Sequence, residues 1–193
     1  MKNTLATGLL AVAVITTGHN ALAAAPAGWY LAGSKPSNYD TGLDQYATYK
    51  SLPSAFMKAK ADEEGFATLM QNFSPANYLG KRIRFSANVK SEEVGRWAGL
   101  WVRVDGPGNP AKTLSFDNMQ RRAIKGTSEW RRYEVVLDVP DTAIGIFMGL
   151  TLDGPGEVWL NGANFEVVPT SVPVTAPDIG VIPNSPQNLD FTR

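Results

Sequence analysis

The residues from Arg82 to Lys90 alternate between apolar and polar side chains without a break. The runs 132–139 and 144–152 keep the same period of two. This period puts alternate side chains on opposite faces of a β-strand, whereas an amphipathic helix repeats every 3.6 residues. The sequence therefore predicts strands that each bury one face in a core, and the apolar positions of the first run are Ile83, Phe85, Ala87 and Val89.

Shorter strand-like runs occupy most of the remaining chain, at 28–32, 66–73, 100–104, 112–116, 157–160 and 164–168. The chain also has 18 glycines and 13 prolines, which suit many tight turns. Residues 39–49 show no clear period, and 55–61 fit either a strand or a short helix. Asn161–Gly162 is typical of a two-residue hairpin turn. Together these features predict an all-β protein, an antiparallel β-sandwich of the jelly-roll type.

The first 23 residues have the pattern of a secretory signal peptide. Lys2 precedes an apolar stretch over 5–15, which is far shorter than the ~20 residues that span a bilayer. Ala21-Leu22-Ala23 fits the cleavage site, with Ala24 and Ala25 as close alternatives. The sequence therefore predicts a signal peptide over 1–23, a sandwich domain over 24–168, and a periplasmic or secreted protein.

The composition excludes several kinds of chemistry from the mature domain. The one histidine, His19, lies in the predicted signal peptide, and the chain has no cysteine. Catalytic Ser-His-Asp and Cys-His systems, His/Cys zinc sites and disulfides are therefore ruled out. The chain has 18 basic and 18 acidic residues, so it lacks the positive charge typical of nucleic-acid binding.

The composition changes after residue 168. Residues 169–193 form a proline-rich tail, which we interpret as an extended segment and as a candidate contact for a protein partner. Residues 188–191 alternate again, and they fit either a final edge strand or a disordered end. The prolines of the tail are Pro169, Pro173, Pro177, Pro183 and Pro186.

A candidate ligand site lies on the polar side of the strand over 100–104. Leu100, Val102 and Val104 supply its core face, so Trp101 and Arg103 point the other way. A ring that stacks on a sugar and groups that bind its hydroxyls are the components of a saccharide site. The full set of predicted ligand-binding residues is Trp101, Arg103, Asp117, Asn118, Arg122 and Phe147.

Alternatives stay open for these residues, and other carboxylates suggest further sites. Trp101 is either a stacking platform or a packed residue, and Arg103 with Asp117 is alternatively a cross-strand ion pair. Asp40 and Asp44 are candidate ligands of a structural Ca²⁺, although their spacing matches no calcium loop. A carboxylate pair for glycoside hydrolysis is a weaker option, because the adjacent pairs Glu63–Glu64 and Glu92–Glu93 diverge on a strand.

Three segments resemble galactose-binding-like jelly rolls, which include several families of carbohydrate-binding modules. They are Gln71–Phe73 with Leu79–Lys90, Trp130–Tyr133, and Gly156–Phe165, where Asn161–Gly162 replaces a closing acidic pair. The stretch from Gly99 to Trp130 is also similar to an uncharacterised bacterial domain family sometimes labelled as a transcription regulator, although no helix-turn-helix is visible. The first resemblance implies a non-catalytic module for a saccharide or another small polar ligand. An envelope structural or protein-interaction domain is the alternative, and a glycan-active enzyme is the third.

Overall fold

The computed structural model describes residues 24–60 and 64–175, and these residues are almost entirely β-structure. Short 3-10 turns lie at Pro36–Asn38 and Gln120–Arg122, and no described helix has the length and apolar character needed to cross a membrane. The prediction of an all-β protein is therefore confirmed. The strands are β1 (Tyr30–Gly33), β2 (Tyr39–Tyr49), β3 (Leu52–Ala59), β4 (Phe66–Phe73), β5 (Arg82–Gly106), β6 (Lys112–Asp117), β7 (Ile124–Asp138), β8 (Gly145–Asp153) and β9 (Glu157–Val168).

Strand β5 joins two antiparallel sheets into a sandwich. Its first half pairs with β7 on one side and β9 on the other, which gives a first sheet in the order β7-β5-β9-β3-β2. Its second half pairs with β6 and β8, which gives a second sheet in the order β6-β5-β8-β4-β1. Register shifts against β7 between Val89 and Ala98 mark the passage from one sheet to the other. This arrangement confirms the predicted jelly-roll sandwich.

The core is filled by the apolar positions that the alternation predicts. Ile83, Phe85, Ala87 and Val89 are 0% exposed in the first half of β5, as are Leu100, Val102 and Val104 in the second. Strand β8 supplies Ile146, Leu150 and Leu152 to the same core cluster. Burying a side chain of this size contributes about 1.5–3 kcal/mol. Both halves of β5 are therefore anchored by the same hydrophobic driving force.

The predicted hairpin at Asn161–Gly162 is wrong. Residues 157–168 form one strand, β9, and both of its halves pair with β5. The pairing register shifts between Ser86 and Asn88, so the positive φ of Gly162 (58°) is accommodated in a β-bulge. The Asn161 amide donates to the carbonyls of Leu52 and Pro53, which ties this bulge to β3. The longer pairing with β5 outweighs the local turn preference.

The first part of the tail crosses the end of the first sheet. We call residues 169–175 the strap. The guanidinium of Arg82 donates to the carbonyls of Thr170 (2.7 Å) and Val172 (2.6 Å). At the free edge of β7, the Thr175 N–H donates to the Val136 carbonyl (2.9 Å) and the Thr175 hydroxyl to Asp117 (2.7 Å). Residues 176–193, including the predicted edge strand at 188–191, and the predicted signal peptide at 1–23 lie outside the described residues.

Replacing Thr175 with valine tests whether the strap is part of the folded domain. Thr175→Val keeps the shape but removes the donor to Asp117 and the acceptor of the Val136 N–H. We expect a loss of about 1–3 kcal/mol of unfolding free energy, because buried polar groups lose their partners. Urea denaturation measures this loss. Thr170→Val is the control, since only the backbone carbonyl of Thr170 contacts Arg82; equal stability of the two variants would contradict the role of the strap.

Candidate functional site

Trp101 lies on the outward face of the second sheet, but its indole is packed against the sheet. Its Cα partner on β8 is Gly149, and a Cβ at that glycine would lie 2.9 Å from the indole nitrogen. The indole N–H reaches across β8 and donates to the Thr68 hydroxyl at 2.6 Å. The residue is only 8% exposed. The orientation away from the core is as predicted, whereas the exposed indole assumed for a stacking platform is not observed.

Arg103 and Phe147 are brought together beside Trp101. They are Cα partners on β5 and β8, and the guanidinium carbon lies 4.7 Å from the centre of the phenyl ring. Asp105 accepts from the Nε of Arg103 at 3.1 Å and from its Nη2 at 3.0 Å. A cation on a ring face is stabilised by the ring quadrupole. One edge of the guanidinium is thus used within the sheet, and the side chain remains 40% exposed.

The other three predicted residues form a different cluster. Asp117 is the Cα partner of Val102, so it lies on the opposite side of the sheet from Arg103, and the predicted Arg103–Asp117 ion pair is wrong. Asp117 instead pairs with Arg122 at 2.6 Å. The Asn118 side chain accepts from the Gln120 N–H at 3.1 Å and closes a turn. These residues hold the loop after β6 and the strap. A ligand on Trp101, Arg103 and Phe147 stays a prediction.

The two candidate calcium ligands have other partners. Asp40 pairs with Lys60 at 3.3 Å. Asp44 accepts from the N–H groups of Tyr46 (2.8 Å) and Ala47 (3.0 Å) and from the Trp159 indole (2.9 Å). Within the described ranges, no group of three His, Cys, Asp or Glu side chains is arranged to hold a metal. Ca²⁺ binding stays a prediction, and Glu63 of the first carboxylate pair lies outside the described residues.

The outward side of the first sheet carries a polar surface that the sequence analysis did not single out. Three strands contribute to it, and their outward positions are aligned by the register of β5 with β7 and β9. Few apolar side chains interrupt it between the strap and the β2–β3 hairpin. We call this surface the polar face; its residues are Arg84, Ser86, Asn88, Arg132, Glu134, Asn164 and Glu166.

Part of the polar face is internally bonded and part is not. Arg84 donates to Glu166 at 2.7 Å and lies 3.5 Å from Glu134, and Arg132 donates to the Ser86 hydroxyl at 2.6 Å. The amide of Asn88, which is 7% exposed, makes no side-chain hydrogen bond to a described residue. A side-chain amide has two donor hydrogens and an acceptor oxygen. Its hydrogen-bonding capacity is therefore left for water or a ligand.

The β2–β3 hairpin closes one end of the polar face. The Tyr49 and Trp130 rings are 5.5 Å apart, although β2 and β7 lie at opposite edges of the first sheet. Four strand spacings separate these edges, which is roughly 19 Å. The end of the hairpin must therefore curl over the outward side of the sheet. Asp44 of the same hairpin accepts a hydrogen bond from the Trp159 indole N–H on β9.

The strap closes the opposite end of the polar face, over Arg82. Between Arg84 and Asn88 the floor is about 13 Å long, from the rise of a strand. Ser86 and Asn88 within it are buried, at 0% and 7% exposure. The floor is three strands wide, because β7, β5 and β9 lie side by side. The polar face is thus a bounded floor with an aromatic pair, Tyr49 and Trp130, at one end.

The comparisons with known proteins agree with this fold. No known protein-family profile matches the chain. A curated relative is the Bacillus subtilis (strain 168) "Uncharacterized HTH-type transcriptional regulator YbfP", 40% identical over 167 residues, which are 85% of this chain and 56% of the relative. The chain thus spans little more than half the length of that relative. The relative's name agrees with the resemblance to a domain family sometimes labelled as a transcription regulator.

Solved structures with the same architecture include carbohydrate-binding modules. One is the CBM22-1 xylan-binding domain of Paenibacillus barcinonensis Xyn10C, with a TM-score of 0.52, 13% identity, and coverage of 76% of this chain and 90% of that domain. Another is the CBM22-1–GH10 part of Clostridium thermocellum xylanase 10B, with a TM-score of 0.53, 13% identity, and coverage of 72% of this chain and 26% of that one. The chain has the fold of these modules. The resemblance to carbohydrate-binding jelly rolls is confirmed at the level of fold.

Truncation of Trp101 measures its packing role. Because the indole is 8% exposed and its N–H is bonded to Thr68, we expect Trp101→Ala to cost about 3–5 kcal/mol of stability. Chemical denaturation gives this value. Ile144→Ala is the control for an apolar residue that is 57% exposed, and it is expected to cost much less. A stability cost near zero for Trp101→Ala would instead indicate that Trp101 is an exposed stacking platform.

The carboxyl of Asp44 gives a prediction on pH. Burial raises its pKa, but the N–H donors of Ala47, Tyr46 and Trp159 outweigh burial and hold it below the ordinary 3.8. A lowered folded-state pKa contributes stability above the unfolded value, and this is lost as the pH falls through the folded value. Asp44→Asn should therefore be less stable than the natural protein at neutral pH, with the gap closing as the pH falls through the lowered folded-state pKa of Asp44. Denaturation across pH tests this, with Asp40→Asn as the control.

Proposed function

We propose that this chain is a non-catalytic saccharide-binding module that takes its ligand on the polar face. One observation carries the proposal: planar polar side chains share a bounded sheet floor with the Tyr49–Trp130 ring pair. Saccharides present hydroxyls in the plane of the ring and C–H groups above and below it. A floor of amides, guanidinium and carboxylate groups beside an aromatic wall fits both kinds of surface.

Each group on the polar face has a defined role in this proposal. The amides of Asn88 and Asn164 both donate to and accept from hydroxyls, and Arg132 adds directional N–H donors. Arg84 holds Glu134 and Glu166 in place. The polar face has two arginines and two glutamates, so its net charge is zero. A balanced surface favours a neutral saccharide over a charged ligand.

The comparisons support this reading of the fold. The domain of Paenibacillus barcinonensis Xyn10C is described as xylan-binding, and the Clostridium thermocellum structure as complexed with xylohexaose. We propose the same class of ligand here and the absence of catalysis, together with export directed by residues 1–23. DNA binding, which the name of the curated relative implies for that protein, is not proposed, because the described residues contain no α-helix.

The cluster of Trp101, Arg103 and Phe147 is the second location for a ligand. Its indole N–H and one edge of its guanidinium already have partners within the sheet. On the polar face, the Asn88 and Asn164 amides make no side-chain hydrogen bond to any residue in 24–60 or 64–175. For this reason the proposal assigns the saccharide to the first sheet.

Substitutions on the polar face test the proposal. A glycan array identifies an oligosaccharide, and calorimetry then measures its affinity for each variant. We expect Asn88→Ala and Trp130→Ala to weaken binding at least about tenfold, since aromatic and buried polar contacts at a binding site are worth more than ~1.4 kcal/mol each. Asn72→Ala, on the outward side of the second sheet, is the matched control and should bind normally.

Two outcomes would contradict the proposal, provided that thermal unfolding shows each variant to be folded. Binding of no glycan on the array would reject the saccharide class. Normal binding by Asn88→Ala together with lost binding by Arg103→Ala would move the ligand to the second sheet.

A further inference from the structure

The β-bulge on β9 leaves an open position within the polar face. Gly162 has a φ of 58°, in the left-handed region that favours glycine. A Cβ at this glycine would lie 3.0 Å from the side-chain nitrogen of Asn88. Among the described residues, and apart from the glycine and its two chain neighbours, no other heavy atom lies within 4 Å of that Cβ position. We call this open position the notch.

The amide of Asn88 has hydrogen-bonding capacity directed at the notch. The residue is only 7% exposed, and its side chain makes no hydrogen bond to any residue in 24–60 or 64–175. Buried polar groups nearly always have a partner, because leaving one unpaired costs free energy. N–H···O hydrogen bonds join heavy atoms about 2.7–3.2 Å apart. An oxygen atom in the notch would therefore accept a hydrogen bond from Asn88.

The neighbour of Asn88 on β9 is held away from this amide. Asn161 is the Cα partner of Asn88. The Asn161 side-chain nitrogen lies 3.1 Å from the Leu52 carbonyl oxygen and 2.8 Å from that of Pro53. It also donates to the Ser54 hydroxyl at 3.0 Å. These bonds to β3 fix the side chain that comes just before the bulge glycine, so it does not fill the notch.

The neighbour of Asn88 on β7 is also engaged elsewhere. Arg132 is its Cα partner on that strand, and the guanidinium donates to the Ser86 hydroxyl at 2.6 Å. Trp130 lies two positions further along β7. One strand spacing and two residue rises separate Trp130 from Asn88 by roughly 8 Å. A sugar at the notch is therefore next to the aromatic end of the polar face.

We propose that the notch receives one hydroxyl group of the saccharide and determines which sugar is bound. This proposal rests on the saccharide-binding function proposed above. The hydroxyl oxygen accepts a hydrogen bond from the Asn88 amide, in the place that a side chain at position 162 would take. A sugar without this hydroxyl leaves a buried donor unpaired, and sites of this kind discriminate strongly against such analogues. Glycine at 162 thus supplies both the φ of the bulge and the space beside Asn88.

Two glycine substitutions separate the loss of space from backbone strain. Gly162→Ala puts a methyl group into the notch. Gly126→Ala is the matched control, because Gly126 on β7 has a similar φ of 64° and a Cβ there would meet no described heavy atom within 4 Å. Thermal unfolding should show similar losses of stability for the two variants.

Calorimetry with an oligosaccharide from the glycan array then measures the effect on binding. Gly162→Ala should bind at least about tenfold more weakly than the natural chain, whereas Gly126→Ala should bind normally. Normal binding by Gly162→Ala would overturn the proposal and leave the notch to water. Equal weakening by both variants would also overturn it, because strain would then explain the loss.

A double variant tests whether the methyl group acts through Asn88. Gly162→Ala and Asn88→Ala remove the same hydrogen bond in this proposal, so their effects should not add. The double variant should bind within about twofold of Asn88→Ala alone. Losses that multiply would place the effect of the methyl group elsewhere and contradict the proposal.

Deoxygenated ligands test the same contact without any substitution, so the result does not depend on the folding of Gly162→Ala. Each oligosaccharide in the series lacks one hydroxyl group. For the natural chain, one position should cost at least about tenfold in affinity, and in Asn88→Ala that cost should disappear. A series in which no single hydroxyl matters, or a cost that persists in Asn88→Ala, would overturn the proposal.

The combined outcomes separate failure of the notch from failure of the saccharide function. Weak glycan binding by Asn88→Ala with normal binding by Gly162→Ala would keep the polar face as the site and reject the notch. Binding of no glycan by the natural chain would reject the saccharide function, and the notch proposal with it. Weak binding by both variants, with Gly126→Ala normal, is the result expected if both proposals hold.

Discussion

The structure depends on the burial of one face of β5 along its whole length. Its inner residues are fully buried in both halves, and each half lies between two other strands of its sheet. Because side chains alternate, burying one set fixes the direction of the other. The first half then directs Arg84 and Asn88 to the polar face, and the second directs Trp101 and Arg103 to the outward side of the second sheet. One hydrophobic constraint thus positions both surfaces.

The hydrogen bonds inside the molecule decide which of its polar groups remain for a ligand. Asp117 looks like a ligand residue in isolation, but its carboxylate is occupied by Arg122 and Thr175. Buried charges need such partners, because desolvation is costly without them. Asn88 has no such partner among the described residues. The polar face therefore differs from the predicted site residues less in the chemical type of its groups than in whether those groups are already hydrogen-bonded within the protein.

Contacts between distant parts of the chain give the polar face its boundaries. The hairpin end brings Tyr49 to Trp130, and the strap is held by Arg82. Local sequence favours neither contact, because each joins segments about eighty residues or more apart in the chain. The folded sheet between these segments brings them together. Both follow from the order of strands in the first sheet, which puts β2, β9 and β7 on one continuous surface.

The sequence by itself determined the strands, the core and the direction of most outward residues, because a period of two is a local property of the backbone. It also indicated the jelly roll. Only the tertiary structure decided that Trp101 is packed over Gly149, that Asp117 and Arg103 lie on opposite sides of the sheet, and that Asn161–Gly162 is a bulge. These outcomes depend on which strands become neighbours. Pairing between distant segments is set by the whole core, and it overrides the local preference of any single turn or side chain.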